Sequence, residues 1–148
     1  MTTPFTARPF VGRFAGYAAI FGRPDASGDV IRPGAFAASL AARRTSGDPL
    51  PLFWQHRPDQ QIGWVERIAE DAKGLRVIAR LSSPEGTNAA MLRAGEVTGL
   101  SFGYRAREAR EIVLPGAQTG RELSDIDIFE VSVVTEPMQP AARVHLVV

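Results

Sequence analysis

Apolar residues recur along this chain at two spacings, and the changes between them mark out the elements. Phe14 to Phe21 is rich in aromatic and small apolar residues and reads as a strand. Gly22-Arg23-Pro24-Asp25-Ala26-Ser27-Gly28-Asp29, dense in turn formers, is a loop. Pro33 to Arg44 predicts a helix: Pro33 suits a first turn, and Phe36 and Leu40 are an i, i+4 apolar pair. Thr45 to Pro51 is another loop, and Leu52 to His56 a short strand. Ile62 to Ile68 and Gly74 to Leu81 have the pattern of a hairpin, joined by the polar stretch Ala69 to Lys73. Ser83-Pro84-Glu85 offers a cap, a proline for the first helical position and a first-turn acid, and predicts a helix to about Ala94 with Gly95 as its stop. Thr98 to Arg107 is a strand, Glu111 to Arg121 a turn or excursion, and Glu122 to Thr135 the longest strand. Pro137 and Pro140 precede a short last strand, Arg143 to Val148.

About seven strands and two short helices predict a mainly β (α+β) fold: a small closed or partly open β-barrel, or a sandwich, with flanking helices. Residues 1–9 are polar and carry two prolines, so the expected division is an N-terminal arm over 1–13 and a single domain over 14–148. A chain of 148 residues suits one domain with one real core.

Composition removes several classes of chemistry. Lys plus Arg is 17 and Asp plus Glu is 16, a balance that speaks against a nucleic-acid coat or a polybasic membrane patch. There is no cysteine, hence no disulfide scaffold, thiolate metal site or cysteine nucleophile. Two histidines 89 positions apart make a poor metal site, and no phosphate loop with its Lys and Ser/Thr is present, so no cofactor is expected. The first residues lack the basic and apolar regions of a signal peptide, and no apolar run reaches membrane-spanning length. The expectation is a soluble protein that works where it is made.

Three side chains stand out against this background. In a strand Gly99-Leu100-Ser101-Phe102-Gly103-Tyr104, alternation turns Leu100, Phe102 and Tyr104 inward and Ser101 outward, between two glycines. A serine so flanked is open to an arriving peptide; on spacing alone, a bulge or barrel bend is the more ordinary reading. The same residues match G-x-S-x-G, and Asp125 or Asp127 and then His145 follow in the order of α/β-hydrolases. That reading fails because the elbow needs a strand-turn-helix on a parallel sheet, whereas Phe102 to Arg105 continues as strand. His56, at the exit of its strand on the face of Leu52 and Trp54, could act as a general base, or be a rim histidine bonded to a turn. Glu130 shares a predicted face with Ile126, Ile128, Ser132 and Val134. A carboxylate there needs a partner: a histidine N–H, as in a catalytic triad, or an arginine, unless the position is an exposed edge. Asp127 falls on the opposite face, expected to be surface.

Taken together, Gly16-Tyr17-Ala18-Ala19-Ile20-Phe21, Gly28 to Phe36, Phe53-Trp54-Gln55-His56 with Ile62-Gly63, Gly99 to Tyr104, and Phe129 to Val134 with Pro137 resemble the prohead proteases of tailed double-stranded DNA phages. These are distant relatives of the herpesvirus capsid assembly proteases. The stretches keep the family's order and span about residues 14–144. The resemblance implies a small β-barrel serine endopeptidase, with Ser101 as nucleophile, His56 as base and Glu130 as third member, a position held by a second histidine in the herpesvirus relatives. It further implies that the substrate is the scaffolding segment of the major capsid protein, and often the protease itself, cleaved inside the assembling procapsid in the cytoplasm of the producing bacterial cell. Self-association into a homo-oligomer is expected; nucleic-acid and membrane partners are not. The competing readings are a non-catalytic β-barrel that binds capsid or scaffold protein, needing none of the three residues, and a single-stranded nucleic-acid-binding barrel, disfavoured by the near-zero charge.

Overall fold

The longest alternating segment, near the C-terminus, becomes the strand that organises all the others. The computed structural model describes residues 11–148; residues 1–10 of the expected arm lie outside the described residues. The elements in chain order are β1 (Arg13–Ile20), β2 (Asp29–Ile31), α1 (Ala37–Ser46), β3 (Pro51–Trp54), β4 (Arg57–Glu70), β5 (Gly74–Leu81), α2 (Thr87–Arg93), β6 (Gly99–Val113), β7 (Thr119–Val134) and β8 (Val144–Val147). One edge of β7 pairs antiparallel with β6 from end to end. Its other edge is shared by two parallel partners, β2 at Arg121–Leu123 and β3 at Val131–Val133. From β3 the sheet continues through β4, β5, β1 and β8, each antiparallel to the one before.

The result is mainly β, an eight-stranded mixed sheet. It does not close by ladder pairing. Among the described residues β6 meets the chain leading into β8 through one bridge, Gly99 to Arg143, and the bonds Leu100 N–H to Ala142 O and Val144 N–H to Thr98 O. The strand missed by periodicity is β2, whose three residues are too few to show a period. The expected excursion at 111–121 is instead the far end of a β6–β7 ribbon, paired as far as Val113 and Thr119.

Both helices start later than predicted, for local reasons. Gly34 has φ +91° and cannot continue a helix from Pro33, so α1 begins at Ala37. It ends on left-handed Gly47, whose N–H donates to Arg43 O. Ser83 is spent on a turn that closes with Gly86 N–H to Ser83 O, and α2 follows with Gly86 as its cap. Helix α1 lies over β7 and delivers Phe36 and Leu40 to the core, where Phe36 meets Phe102 edge-on at 5.3 Å. Burying one such ring is worth roughly 2–3 kcal/mol.

One irregularity in β7 controls everything that follows it. Gly103 of β6 opposes Glu130 while Tyr104 opposes Ile128, leaving Phe129 as an extra residue. A one-residue bulge inverts the facing of the strand beyond it. Before it, Ile126 and Ile128 are the fully buried core positions; after it, Val131 and Val133 are. Glu130 and Ser132 therefore do not continue the face of Ile126 and Ile128, as strict alternation predicted. They turn away from the core, which spares the fold a carboxylate buried among aliphatic groups.

Candidate active site

Register alone assembles a polar patch on the outer face of three neighbouring strands. Ser101 of β6 pairs with Ser132 of β7, Gly103 pairs with Glu130, and Phe53 of β3 meets Ser132 from the other side. Leu100 and Phe102 point inward, as alternation predicted, and Ser101 points outward with Glu130 and Ser132. Ser101 is 4% exposed. Among the described residues no hydrogen bond engages its hydroxyl, and no fully enclosed side-chain polar atom lacks a partner. The Oγ of Ser101 is therefore reached by solvent.

The flanking glycines serve a purpose different from the one expected of them. A Cβ on Gly103 would lie 2.5 Å from Glu130 Oε1 and 2.8 Å from Phe129 Cε2. A Cβ on Gly99 would lie 2.5 Å from Val134 O and 2.8 Å from Pro137 Cδ. The two glycines make room for the protein's own chain, and at Gly103 for the carboxylate of Glu130.

His56 reaches the same face by leaving the strand. Trp54 pairs with Arg57 across a two-residue turn, and both turn residues are left-handed, Gln55 at φ 54° and His56 at φ 59°. Such hairpins favour Asn and Gly, and other residues there cost about 1–2 kcal/mol each. Bonds to the end of β7 and the residue after it hold the turn. Gln55 N–H donates to Val133 O at 2.9 Å, and the Gln55 amide donates to Thr135 Oγ1 at 2.9 Å while accepting from Thr135 N–H at 3.1 Å. His56 N–H donates to Ser132 Oγ at 3.1 Å. The prediction that His56 shares the face of Leu52 and Trp54 is thus corrected: the strand ends at Trp54, and the turn swings the ring to the opposite face.

There His56 Nδ1 lies 2.5 Å from Glu130 Oε1, and Glu130 Oε2 accepts the Ser132 hydroxyl at 2.7 Å. Glu130 is 5% exposed, whereas the His56 side chain is 40% exposed. An ionised carboxylate only accepts hydrogen bonds, so this contact suits the tautomer in which the imidazole donates from Nδ1 and presents the lone pair of Nε2. Ser132 is the member of the patch that sequence reasoning did not single out. Its signal was its place two residues after Glu130 on one face.

The other candidates lie elsewhere or are otherwise engaged. His145 on β8 faces Tyr17 of β1, ring centroids 5.9 Å apart. Asp125 pairs with Arg107 at 3.9 Å. Asp127 accepts from Ser39 Oγ at 3.2 Å and lies 3.7 Å from Arg105; before the bulge it faces away from Ile126 and Ile128 and is partly exposed, as expected. β6 runs on as strand to Val113, with no helix after Ser101, so the nucleophile-elbow geometry is absent. Among the described residues no three His, Cys, Asp or Glu side chains are grouped as a metal would need.

A second polar cluster braces the ribbon that carries the site. Asp29 of β2 is buried, receives Arg121 Nε and Nη2 at 2.9 and 2.8 Å, and accepts the Tyr104 hydroxyl at 2.9 Å. The Arg121 bonds, helped by Tyr104, hold the Asp29 carboxyl below the usual range against the opposing effect of burial. Burial, then the bond to Asp29, pushes the Tyr104 hydroxyl up to about 12.

Comparisons with known proteins agree with this architecture. The chain is 34% identical over 146 residues to the "Prohead protease" of Enterobacteria phage HK97, covering 95% of this chain and 62% of that protein. It is 32% identical over 130 residues to the "Capsid polyprotein" of Pseudomonas phage PAJU2, covering 82% of this chain and 18% of that one. The chain thus spans less than two thirds of the length of either relative. Among solved structures, the bacteriophage T4 capsid assembly protease superposes with a TM-score of 0.62 at 12% identity, over 82% of this chain and 80% of that one. The varicella-zoster virus protease superposes with a TM-score of 0.55 at 16% identity, over 90% and 62%. At such identities the two structures speak for a shared fold. The sequence profile described as "Caudovirus prohead serine protease" matches residues 6–148. A match of that extent, running through every strand described above, makes this chain a member of the Caudovirus prohead serine protease family.

Proposed function

We propose that the protein is a serine endopeptidase in which Ser101 is the nucleophile, His56 the general base and Glu130 the carboxylate that orients it. The observation that carries this reading is the 2.5 Å contact of His56 Nδ1 with Glu130, on the strand whose Ser132 and Glu130 pair with Ser101 and Gly103. In the proposed reaction the Ser101 proton passes to His56 Nε2 as Oγ bonds to the peptide carbonyl carbon. Glu130 stabilises the imidazolium, which returns the proton to the leaving amine as the C–N bond breaks. Water, deprotonated by the same nitrogen, then hydrolyses the acyl-enzyme and releases Ser101. The unengaged hydroxyl of Ser101 fits a nucleophile that meets its base when a peptide is bound.

The substrate we assign is the scaffolding segment of the major capsid protein, with the protease chain as a second target. Family membership and the names of the HK97 and PAJU2 relatives, a prohead protease and a capsid polyprotein, support it. We also read residues 14–148 as one domain, curled as a partly open barrel. A single core cluster and the bonds between residues 142–144 and β6 favour this. The place of action follows from the substrate: the procapsid in the bacterial cytoplasm, where crowding favours self-association.

Co-expression with the major capsid protein tests the assignment, with the intact mass of the capsid subunit as readout. Loss of an N-terminal segment with wild type but not with Ser101→Ala is expected. Equal trimming by both proteins would remove Ser101 from the mechanism. Stable association without trimming by either would favour a binding module.

A further inference from the structure

We infer that Ser132 is a positioning residue that sets both the place and the proton arrangement of the His56–Glu130 pair; this rests on the catalytic reading of that pair. Its hydroxyl stands between the backbone of the histidine and the carboxylate that the histidine ring touches. His56 N–H donates to Ser132 Oγ at 3.1 Å, and Ser132 Oγ–H donates to Glu130 Oε2 at 2.7 Å. With the Glu130 Oε1 contact to Nδ1, these bonds make a closed circuit from the histidine backbone back to its own ring.

The directions of the two bonds that Ser132 makes are fixed by its partners. A backbone N–H can only donate, so Ser132 Oγ must accept there. A hydroxyl has one proton, and here it goes to Oε2. Oε2 is thereby an acceptor and cannot carry the carboxyl proton toward Ser132. With Oε2 taken as an acceptor, an ionised Glu130 turns Oε1 to the ring, the arrangement in which the imidazole donates from Nδ1 and presents Nε2 with its lone pair. The same hydroxyl anchors a turn whose two residues hold left-handed conformations, so it also fixes where the ring stands.

Among the described residues the Ser132 hydroxyl has no other hydrogen-bond partner. The residue is fully buried, and it pairs with Phe53 on one side and Ser101 on the other. It does not itself reach the peptide, so its contribution belongs in the turnover rate and not in substrate affinity.

The test compares Ser132→Thr with Ser132→Val, two side chains of nearly equal shape that differ in the hydroxyl, on a peptide spanning the capsid cleavage site. Ser132→Thr is expected to stay within a few-fold of wild type, and Ser132→Val to lose about 10- to 100-fold in kcat with KM nearly unchanged. A second readout needs no turnover: the proton NMR signal of His56 Nδ1–H, recorded in a Ser101→Ala background. It should stand far downfield in the parent and in Ser132→Thr, and move upfield or broaden in Ser132→Val. Equal kcat and an unmoved signal in the Val variant would overturn the inference. Should the β-branched variants not fold, Ser132→Ala and Ser132→Cys take their place with the same expectations for the missing and the weakened donor. A wild type with no Ser101-dependent cleavage would refute the peptidase reading, and the NMR comparison would still decide whether Ser132 orders the pair.

Discussion

Glu130→Gln is the sharpest single perturbation of the proposed site. The wild-type carboxylate is nearly buried and accepts two bonds, from His56 Nδ1–H and Ser132 Oγ–H. Glutamine has the same shape but one oxygen and one NH2. If its oxygen faces His56, the NH2 points at Ser132, whose proton loses its acceptor. If the amide flips, NH2 faces Nδ1, the imidazole proton must move to Nε2, and the base presents a proton to Ser101 where a lone pair is needed. The first arrangement keeps the tautomer but replaces a charge-assisted bond with a neutral one. That difference of about 1.5 kcal/mol is roughly a tenfold loss in rate. The second produces the wrong tautomer, for which losses near 10^4-fold are the pattern in serine proteases generally. The expected fall in kcat/KM therefore lies between about 10- and 10^4-fold. The assay is the initial rate on a peptide spanning the capsid cleavage site, with circular dichroism and thermal melts to verify the fold. A Glu130→Gln protein that is folded and cleaves within twofold of wild type would refute the reasoning, and a comparable loss in Asp127→Asn or His145→Ala alone would reassign the third member.

Other outcomes follow from the same contacts. Gly103→Ala places a methyl 2.5 Å from Glu130 Oε1 and 2.8 Å from the Phe129 ring, so activity should drop at least tenfold while stability falls by about 1–3 kcal/mol; unchanged activity would show that Glu130 can move without consequence. Gly99→Ala meets a backbone carbonyl, that of Val134, at 2.5 Å, and its Tm should fall further than that of Gly103→Ala because the obstacle cannot rotate away. Asp29→Asn removes a carboxylate whose folded pKa is depressed below its ordinary value of 3.8. Such a group stabilises the fold fully above its unfolded pKa, and the contribution is lost as pH falls through the folded pKa. The variant should be less stable at pH 7 by about 1–3 kcal/mol and lose less stability than wild type between neutral pH and pH 3 in urea titrations. Leu100→Ala, fully buried beside Ser101, should cost about 2–5 kcal/mol in the same titrations.

Much of this protein is legible in its residues. β5 and the start of β6 alternate because each sets one face against the core, whereas β1, buried along most of its length and bulged against both neighbours, shows itself through its aromatic and small apolar residues. The short β2 was hidden, since three residues carry no period. The far ribbon reads as an excursion because Pro115, Gly116 and Gly120 break its pattern; its residues are mostly exposed, and its pairing comes from β7 rather than from burial. Helix starts were misjudged where Gly34 and the Ser83–Gly86 turn use up residues that look like caps.

For the site, strand patterning singled out Ser101, His56 and Glu130 as side chains in need of an explanation, the family resemblance implied their roles, and an outward Ser101 followed from a period of two. What brought Glu130 to its side was a bulge at Phe129, and what brought His56 there was a left-handed turn at Gln55 and His56. Neither leaves a mark in periodicity, because each is a departure from it, stabilised by partners distant in the chain: Gly103 beneath Glu130, Thr135 against Gln55, and Ser132 against His56. Sequence by itself determined which chemical groups were available and which strands would carry them. Only the tertiary structure decided which face each group occupies, since facing depends on register, and register is settled between strands rather than within one.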